Sequence, residues 1–463
     1  MSDKDLIILK VHSTIKKYNM IRPNSRILVG VSGGPDSICL LKVLNQLSDD
    51  YRIKLYAFHL NHKLRGKESD GDEKFVKEFC RNLKVPCRTM KLAIKDYAKQ
   101  KKLSLEQAAR EIRYQLLERV RKRWQCDKIA LGHNANDNAE TVISNLVRGT
   151  GMRGLAGIPP VRNRIIRPLI KIERDAIVQY LKNNRIDYRI DSTNIDSKIR
   201  RNFIRAKIIP KLSKLNPNLI ETITRLADIV REEDKYFNQR TEQMTKMVVI
   251  KRTKQGMLLD NKAFLSYNLT LRRRALKLLL PELGFDKIGQ ILEVSQKKSV
   301  GKTELGPNLV VQREYEQLYI GLPTRRLPVR AIMVPLAKTF DEMGVKLATR
   351  IVSDYDLADK DSNTEVFDYE KISIPLILRY RMPGDKFIPF GGKEKKLKEI
   401  LIDDKIPERI RNQLPLLCDS KGILWILGSR RAERARITKK TKKILSVRIK
   451  EWKKNPLLKL KIQ

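Results

Sequence analysis

Four short apolar runs recur through the first 133 residues: RILVGV at 26–31, KLYAFHL at 54–60, CRTMKL at 87–92 and KIALGH at 128–133. Longer charged stretches with helical character separate them, notably 68–84 and 104–124. Strand-length runs alternating with helical segments constrain a chain to a parallel sheet flanked by helices, because a strand reaches a parallel neighbour only through a crossover. RPLIKI at 167–172 predicts one further strand ahead of a helix over 173–184.

From about residue 213 the texture changes. NPNLIETITRLADIV places Leu219, Ile223, Leu226 and Val230 on one helical face, with Asn216 as a cap ahead of Pro217. Further helices are predicted over 228–248 and 270–280. After about 325 proline and short β-branched runs return in RAIMVPL, VKLATRIV, IPLILRYR, GILWILG and LSVRIKEW, with DKDSNTE at 359–365 as a loop. The expected organisation is an α/β domain over 1–212, a helical domain over 213–325 and a small, basic α+β domain over 326–463.

Charge narrows the partners. Lys and Arg outnumber Asp and Glu by 97 to 53, a formal excess of +44. The densest stretch, 430–463, carries fourteen basic residues against two acidic ones. Solvated faces ordinarily mix both signs, so this imbalance asks for a polyanion, with nucleic acid ahead of an anionic membrane surface. A chain drawn from a lysine-rich proteome is the plain alternative. No apolar stretch approaches the roughly 18 residues of a membrane span. MSDKDLIILK lacks the apolar core of a signal peptide, and the five scattered cysteines contain no CxxC pair. A cytoplasmic protein with reduced thiols is expected.

VGVSGGPDS, residues 29–37, follows the first strand directly and opens a helix. Gly33 and Gly34 let the backbone approach a ligand, Ser32 and Ser37 offer hydroxyls, and Asp36 or Ser37 caps a helix whose N-terminal amides point at an anion. This is a phosphate cradle without the lysine of a Walker A loop. A simple glycine turn is the bland alternative, and the order of small and polar residues argues against it. GTGMRG at 149–154 spells GxGxxG but follows a helix rather than a strand, so a dinucleotide fingerprint is rejected.

His133 ends the fourth run, at the strand end where parallel sheets bind ligands. If a helix begins there, His133, Asp137 and Glu140 share one face at i, i+4 and i+7. Two carboxylates beside an imidazole can hold an ammonium group and accept its proton, which a protonated amine must lose before it attacks. Taken singly, His133 reads as a satisfied buried histidine and the two acids as a solvated face. Their convergence with a phosphate loop one strand away favours a site.

SGGPDS resembles the signature of the PP-loop ATP pyrophosphatases, which cleave ATP between its α and β phosphates. That resemblance implies that Ser32, Gly33, Gly34, Pro35, Asp36 and Ser37 bind ATP, with Mg2+ at Asp36. Further segments are similar to the tRNA(Ile)-lysidine synthases: HLNHKLRGKESDGDEKF (59–75), EQAAREIRYQLL (106–117), GHNANDNAET (132–141), RGTGMRGLAG (148–157), DSTNIDSKIRRNFIRAKIIPKL (191–212), and LRYRMPGDKFIPFGG with KIPERIRNQLPLLCDSKGILWILG near the C-terminus. The likeness is close over the first two hundred residues, good in the C-terminal module and loose between them.

The resemblance implies a ligase that adenylates the wobble cytidine of an isoleucine tRNA bearing a CAU anticodon and joins free L-lysine to it. Arg113 and Arg205 then face the reaction centre, where a guanidinium stabilises the AMP leaving group; solvent exposure is their alternative. Asp191 and Asn194 organise the loop carrying Arg201 and Arg205, and His59 and His62 shape the adenosine pocket. The chain departs from the family pattern at Asn136, where a second aspartate is usual, and at Asn138, where glutamine is usual. An amide neutralises no cation, which leaves Asp137 and Glu140 as the lysine-binding pair. Oligomeric state is open, with a homodimer among the alternatives. The rivals are a tRNA thiolase, which the missing CxxC pairs disfavour, an amide-forming synthetase, and a non-catalytic RNA-binding protein.

Overall fold

A computed structural model describes residues 3–63, 67–92, 94–189, 200–298, 300–323, 331–353, 361, 363–453, 455 and 457. The chain divides into two compact units, Met1–Asn238 and Gln239–Gln463, with the division inside the helix Leu219–Val248.

The first unit is built on a six-stranded sheet. In chain order its elements are α1 (Asp3–Lys17), β1 (Arg26–Gly30), α2 (Pro35–Gln46), β2 (Lys54–Asn61), α3 (Lys67–Asn82), β3 (Cys87–Lys91), α4 (Ile94–Lys101), α5 (Leu105–Arg123) and β4 (Lys128–Ala130). There follow α6 (Ala135–Val147), α7 (Met152–Leu155), β5 (Val161–Arg162), β6 (Ile165–Ile166), α8 (Arg174–Asn183), α9 (Arg200–Phe203), a π-helical turn (Ile204–Ile208), α10 (Ile209–Leu215) and α11 (Leu219–Val248). The sheet order is β3-β2-β1-β4-β6-β5, parallel except for the β5–β6 pair.

β1 lies at the centre because it is apolar on both faces. Ile27 and Val29 enter one core with α1, α2 and α8, while Leu28 enters a second core with α4 and α5. All three are fully buried, which contributes about 1.5–3 kcal/mol each. β1 connects onward to β2 on one side, and β4 returns on the other. That reversal opens a crevice at the carboxyl ends of β1 and β4, the place where open parallel sheets bind ligands.

The predicted strand at 167–172 is a turn; the chain pairs at β5 and β6 just before it. Its alternating isoleucines and leucine instead plug the core, with Leu169 and Ile172 packed against β1 and α8. In the first half of α11 the buried positions are Ile220, Ala227 and Val230, whereas Leu226 is exposed. The predicted helix over 228–248 is a continuation of α11, and Asn216 accepts the amide of Asn218 in the turn before it.

The second unit holds the expected helix, at Leu269–Leu279, and a further one, Phe285–Gln296, that was not foreseen. It also holds a five-stranded antiparallel sheet in the order Val249–Thr253, Gly256–Asp260, Gln317–Gly321, Leu309–Glu314 and Val300–Gly306, which sequence reasoning did not foresee. The hairpin strands are short and charged, so their period-2 signal is weak. Beyond them lie two four-stranded antiparallel sheets, including Val345–Val352, Gly422–Ile426 and Ile444–Trp452 as expected. Of the loop expected at 359–365, residues 359, 360 and 362 lie outside the described residues, and Thr364 already starts the strand Thr364–Asp368.

Candidate active site

β1 ends at Gly30 and the loop Val31–Gly34 delivers the chain to α2. Gly33 has φ +94°, a conformation that L side chains rarely adopt, so the turn depends on glycine there. Neither Asp36 nor Ser37 caps α2. Gly34 is the N-cap and makes no side-chain cap bond, which leaves the first amides of the helix directed outward. The Ser37 hydroxyl turns back instead. It donates to the Gly34 carbonyl at 3.0 Å, accepts from the Ser32 amide at 3.1 Å and lies 3.1 Å from the Ser32 hydroxyl. The two hydroxyls therefore brace the loop as well as face a ligand.

α6 meets α2 across the crevice through Asn134. This side chain caps α6 by accepting the Asp137 amide at 2.9 Å, and the Asp137 carboxylate accepts the Asn134 amide at 3.1 Å. The same Asn134 donates through Nδ2 to Asp36 Oδ1 at 2.9 Å. Burial, opposed by that bond and reinforced by the nearby Asp137 charge, raises the Asp36 pKa above its ordinary value. Gly132 makes the approach possible, since a Cβ there would stand 3.0 Å from the Asp36 carbonyl.

The crevice opens into a cavity of about 380 Å³. Its walls are the loop at Ser32, Gly34, Asp36 and Ser37, the end of β2 from Phe58 to His62, and the β4 end at Leu131–His133. α5 contributes Arg110, Arg113, Tyr114 and Leu117, spaced i, i+3, i+4 and i+7 on one helical face, and Asp137 and Arg201 complete the wall. Of the expected residues, Ser32, Gly34, Asp36, Ser37, His59, His62, Arg113, His133 and Asp137 line this space. Gly33, Pro35, Glu140 and Arg205 do not. Asp191 and Asn194 lie outside the described residues.

His133 is not on the α6 face with Asp137 and Glu140, because α6 starts at Ala135 with Asn134 as its cap. It stands instead against the arginine-lined wall. Burial, with Arg167, Arg201, Arg110 and Arg113 adding to it, lowers its pKa to about 3, and among the described residues its buried Nδ1 has no hydrogen-bond partner. His133 is thus a neutral acceptor at physiological pH. His59, which also lines the cavity, is likewise kept neutral by burial; its Nδ1 lies 2.9 Å from the Val31 carbonyl and, among the described residues, its buried Nε2 has no partner. Sharing that bond with a carbonyl makes Nδ1 the protonated nitrogen and Nε2 the acceptor.

Asp137 and Glu140 do come together, held by two arginines. Arg201 donates to Asp137 at 2.8 Å and to Glu140 at 2.7 Å; Arg205 donates to Glu140 at 2.5 Å and lies 3.3 Å from Asp137. Glu140 is 1 % exposed. A buried carboxylate needs such partners, and the π-helical turn Ile204–Ile208 sits where Arg205 reaches back to it.

The two departures have structural duties. Asn136 accepts the Arg174 amide at 2.9 Å and so caps α8, while the buried Asn138 accepts the Ile158 amide at 2.7 Å. Sequence reasoning missed Arg110, Tyr114 and Asn134. Helical spacing was a usable signal for the first two, since Arg110 lies three residues before Arg113 and Tyr114 four after Arg110; nothing in the sequence signals the Asn134–Asp36 bond.

Residues 7–212 match a family described as the PP-loop domain, and residues 376–449 match the TilS substrate C-terminal domain. Over nearly full length the chain is similar to the tRNA(Ile)-lysidine synthase of Caldanaerobacter subterraneus subsp. tengcongensis, at 36% identity over 95% of this chain and 97% of that one. The same holds for the proteins of that name from Clostridium tetani, 36% identical over 97% of this chain and 99% of that one, and Clostridium acetobutylicum, 36% identical over 96% and 99%.

Proposed function

The chain belongs to the tRNA(Ile)-lysidine synthase family, and on that premise we propose that it uses ATP to join free lysine to the wobble cytidine of an isoleucine tRNA with a CAU anticodon. The base carbonyl oxygen attacks the α-phosphorus and pyrophosphate leaves. The lysine ε-amine then attacks the activated carbon, AMP departs with the oxygen, and the amine gives up a proton, leaving lysidine.

The observation that carries this reading is one cavity lined both by a phosphate loop and by a carboxylate of the α6 pair. Ser32, Ser37 and the free amides of α2 suit the phosphates. Arg110 and Arg113 suit the charge that develops on the leaving groups. His59, with its lone pair at the cavity floor, suits an amino group of the adenine. Asp137 and Glu140 suit the lysine ammonium, which would have to share or take over contacts that Arg201 and Arg205 now make. As the amine attacks, that pair is placed to receive its proton.

Asp36 fits a divalent cation: it is the one carboxylate of the loop, and among the described residues only its Oδ1 accepts a hydrogen bond, from Asn134. Mg2+ asks of a protein only one or two carboxylates beside phosphate oxygens, and among the described residues no cluster of three or more His, Cys, Asp or Glu offers a dedicated cage. When bound it neutralises charge on the departing pyrophosphate. We place the enzyme in the cytoplasm, where tRNA is modified; among the described residues no helix is long and apolar enough to cross a membrane.

Incubation with ATP, Mg2+, radiolabelled lysine and the CAU isoleucine tRNA tests the reading. Label on the anticodon cytidine that survives deacylation supports it. No label at saturating lysine, with tRNA binding intact, would redirect the search to another substrate of the same nucleotide chemistry.

A further inference from the structure

A stack of side chains runs from the core of the second unit to its surface. Phe367, in the strand Thr364–Asp368, is fully buried. The Arg431 guanidinium lies 5.4 Å from its ring centroid and 4.9 Å from that of Phe390, and Arg436 lies 5.0 Å from Phe390. Ring, guanidinium, ring and guanidinium therefore alternate outward. The stack surfaces at Phe390, 50% exposed, and at the Arg436 side chain, 58% exposed.

This arrangement is held firmly. The Phe390 amide donates to the Arg431 carbonyl at 3.1 Å, the Glu433 amide to the Ile388 carbonyl at 2.9 Å and the Gly391 amide to the Glu433 carboxylate at 2.8 Å. Arg431 is pinned from below by the Val366 carbonyl at 3.1 Å. An exposed aromatic fixed between guanidinium groups presents planar, polarisable surface that water solvates poorly. Lys439, Lys440, Lys442 and Lys443 follow in the chain and are all exposed.

Bases free of Watson–Crick pairing stack on aromatic rings and on arginine planes, and neighbouring lysines meet the phosphates. We propose that Phe390 and Arg436 form a stacking platform for an unpaired nucleobase of the RNA substrate, with the lysines at 439–443 on the adjoining phosphates. The proposal rests on the reading that the substrate is RNA, and it adds a second contact remote in sequence from the ATP-binding residues. A base in a loop and a base in a single-stranded 3′ overhang offer the same face to this platform, and the two probes below tell them apart.

The test uses the full chain without ATP or lysine. Two RNA probes are compared, a hairpin with 2-aminopurine in its loop and a duplex with 2-aminopurine in a 3′ overhang, each beside a version abasic at that position. The wild type should bind at least one base-bearing probe about tenfold more tightly than its abasic twin and quench its fluorescence, the scale expected of one stacked base. Arg436→Lys keeps the charge and removes the plane. It should abolish that preference and the quenching while leaving abasic binding and its salt dependence unchanged, and Phe390→Leu should do the same. Loss on one probe alone names the source of the base. Retention of the preference by Arg436→Lys on both probes overturns the platform, as does equal wild-type affinity for base-bearing and abasic strands. Because no step of catalysis enters, failure here leaves lysine transfer standing, and failure of lysine transfer leaves this result standing.

Discussion

Each oxygen of Glu140 accepts from an arginine, and Glu140 is 1% exposed while Arg201 and Arg205 retain about a third of their side-chain exposure. Glu140→Gln removes one charge from this knot. Breaking a fully buried pair costs about 3–5 kcal/mol, and the partial exposure of the arginines brings the expectation down to about 1–2 kcal/mol. In activity the same change should raise the KM for lysine by about tenfold or more, an effect of one charge-assisted contact, while ATP–pyrophosphate exchange with tRNA persists. Loss of exchange to the same degree would place Glu140 in the first half-reaction instead. His133 gives a pH signature. Its folded pKa of about 3 lies below the ordinary 6.5, so the unfolded chain binds the extra proton. Stability supplied by the neutral imidazole is complete above 6.5 and drains away as pH falls toward 3. His133→Gln should flatten the dependence of denaturant midpoint on pH across that window. The identity of these groups was legible from their order in the sequence; their state of charge was not. Asp137 and Glu140 read as an open ammonium site, and only the fold brings Arg201 and Arg205, over sixty residues away, onto them.

Among elements, the α6 N-terminus carries most consequence, because one side chain both caps it and touches the phosphate loop. Asn134→Ala removes the cap, worth about 1 kcal/mol, and frees Asp36. Asn134→Asp keeps a capping oxygen but turns a carboxylate on Asp36. The alanine variant should melt a few degrees lower with a modest loss of ATP affinity, and the aspartate variant should melt near the wild type yet lose more ATP affinity. Calorimetry and nucleotide titration separate the two. α11 is fastened likewise at Asp228, which meets Lys17, Lys171 and Arg231 and accepts from the Tyr18 hydroxyl. Burial pushes its pKa up, but the hydrogen bonds to Lys171, Tyr18 and Lys17 and the charge of Lys171 together bring it down to about 2, so its contribution is whole above 3.8 and is lost as pH drops toward 2. Asp228→Asn should lower stability at pH 7 by about 2 kcal/mol and narrow the gap between wild type and variant in acid. Strands β1 and β2 stood out in the sequence because buried strands are nearly continuous apolar runs. The run at 167–172 was equally apolar and misled for that reason: burial sets composition, and a plugged turn is as buried as a strand. The five-stranded sheet that begins at Val249 hid behind edge strands such as Val249–Thr253, which is charged and exposed along its length and shows no alternation.

For the molecule as a whole, charge decides how it meets its substrate. An excess of +44 predicts that tRNA affinity falls steeply with salt, by about 10³-fold or more between 50 and 200 mM, measured by filter binding at several ionic strengths. A shallow slope would mean that the basic residues are spread too thinly to neutralise phosphates together. Charge excess was plain in the composition; its arrangement around Phe390 was not, since Phe367, Phe390 and the pair Arg431 and Arg436 come from three separate segments. The sheet order also has a consequence for the chain during its synthesis. β1 waits for β4, a hundred residues later, before it has a neighbour on both sides, and Glu140 waits longer still for Arg205. At roughly 5–20 residues per second a ribosome takes on the order of ten to thirty-five seconds to pass from Ser32 to Arg205. Over that interval the walls arrive in order, the end of β2, then the face of α5, the end of β4 and last Arg201, so the nucleotide crevice is assembled piece by piece and is whole only once that last stretch has been made.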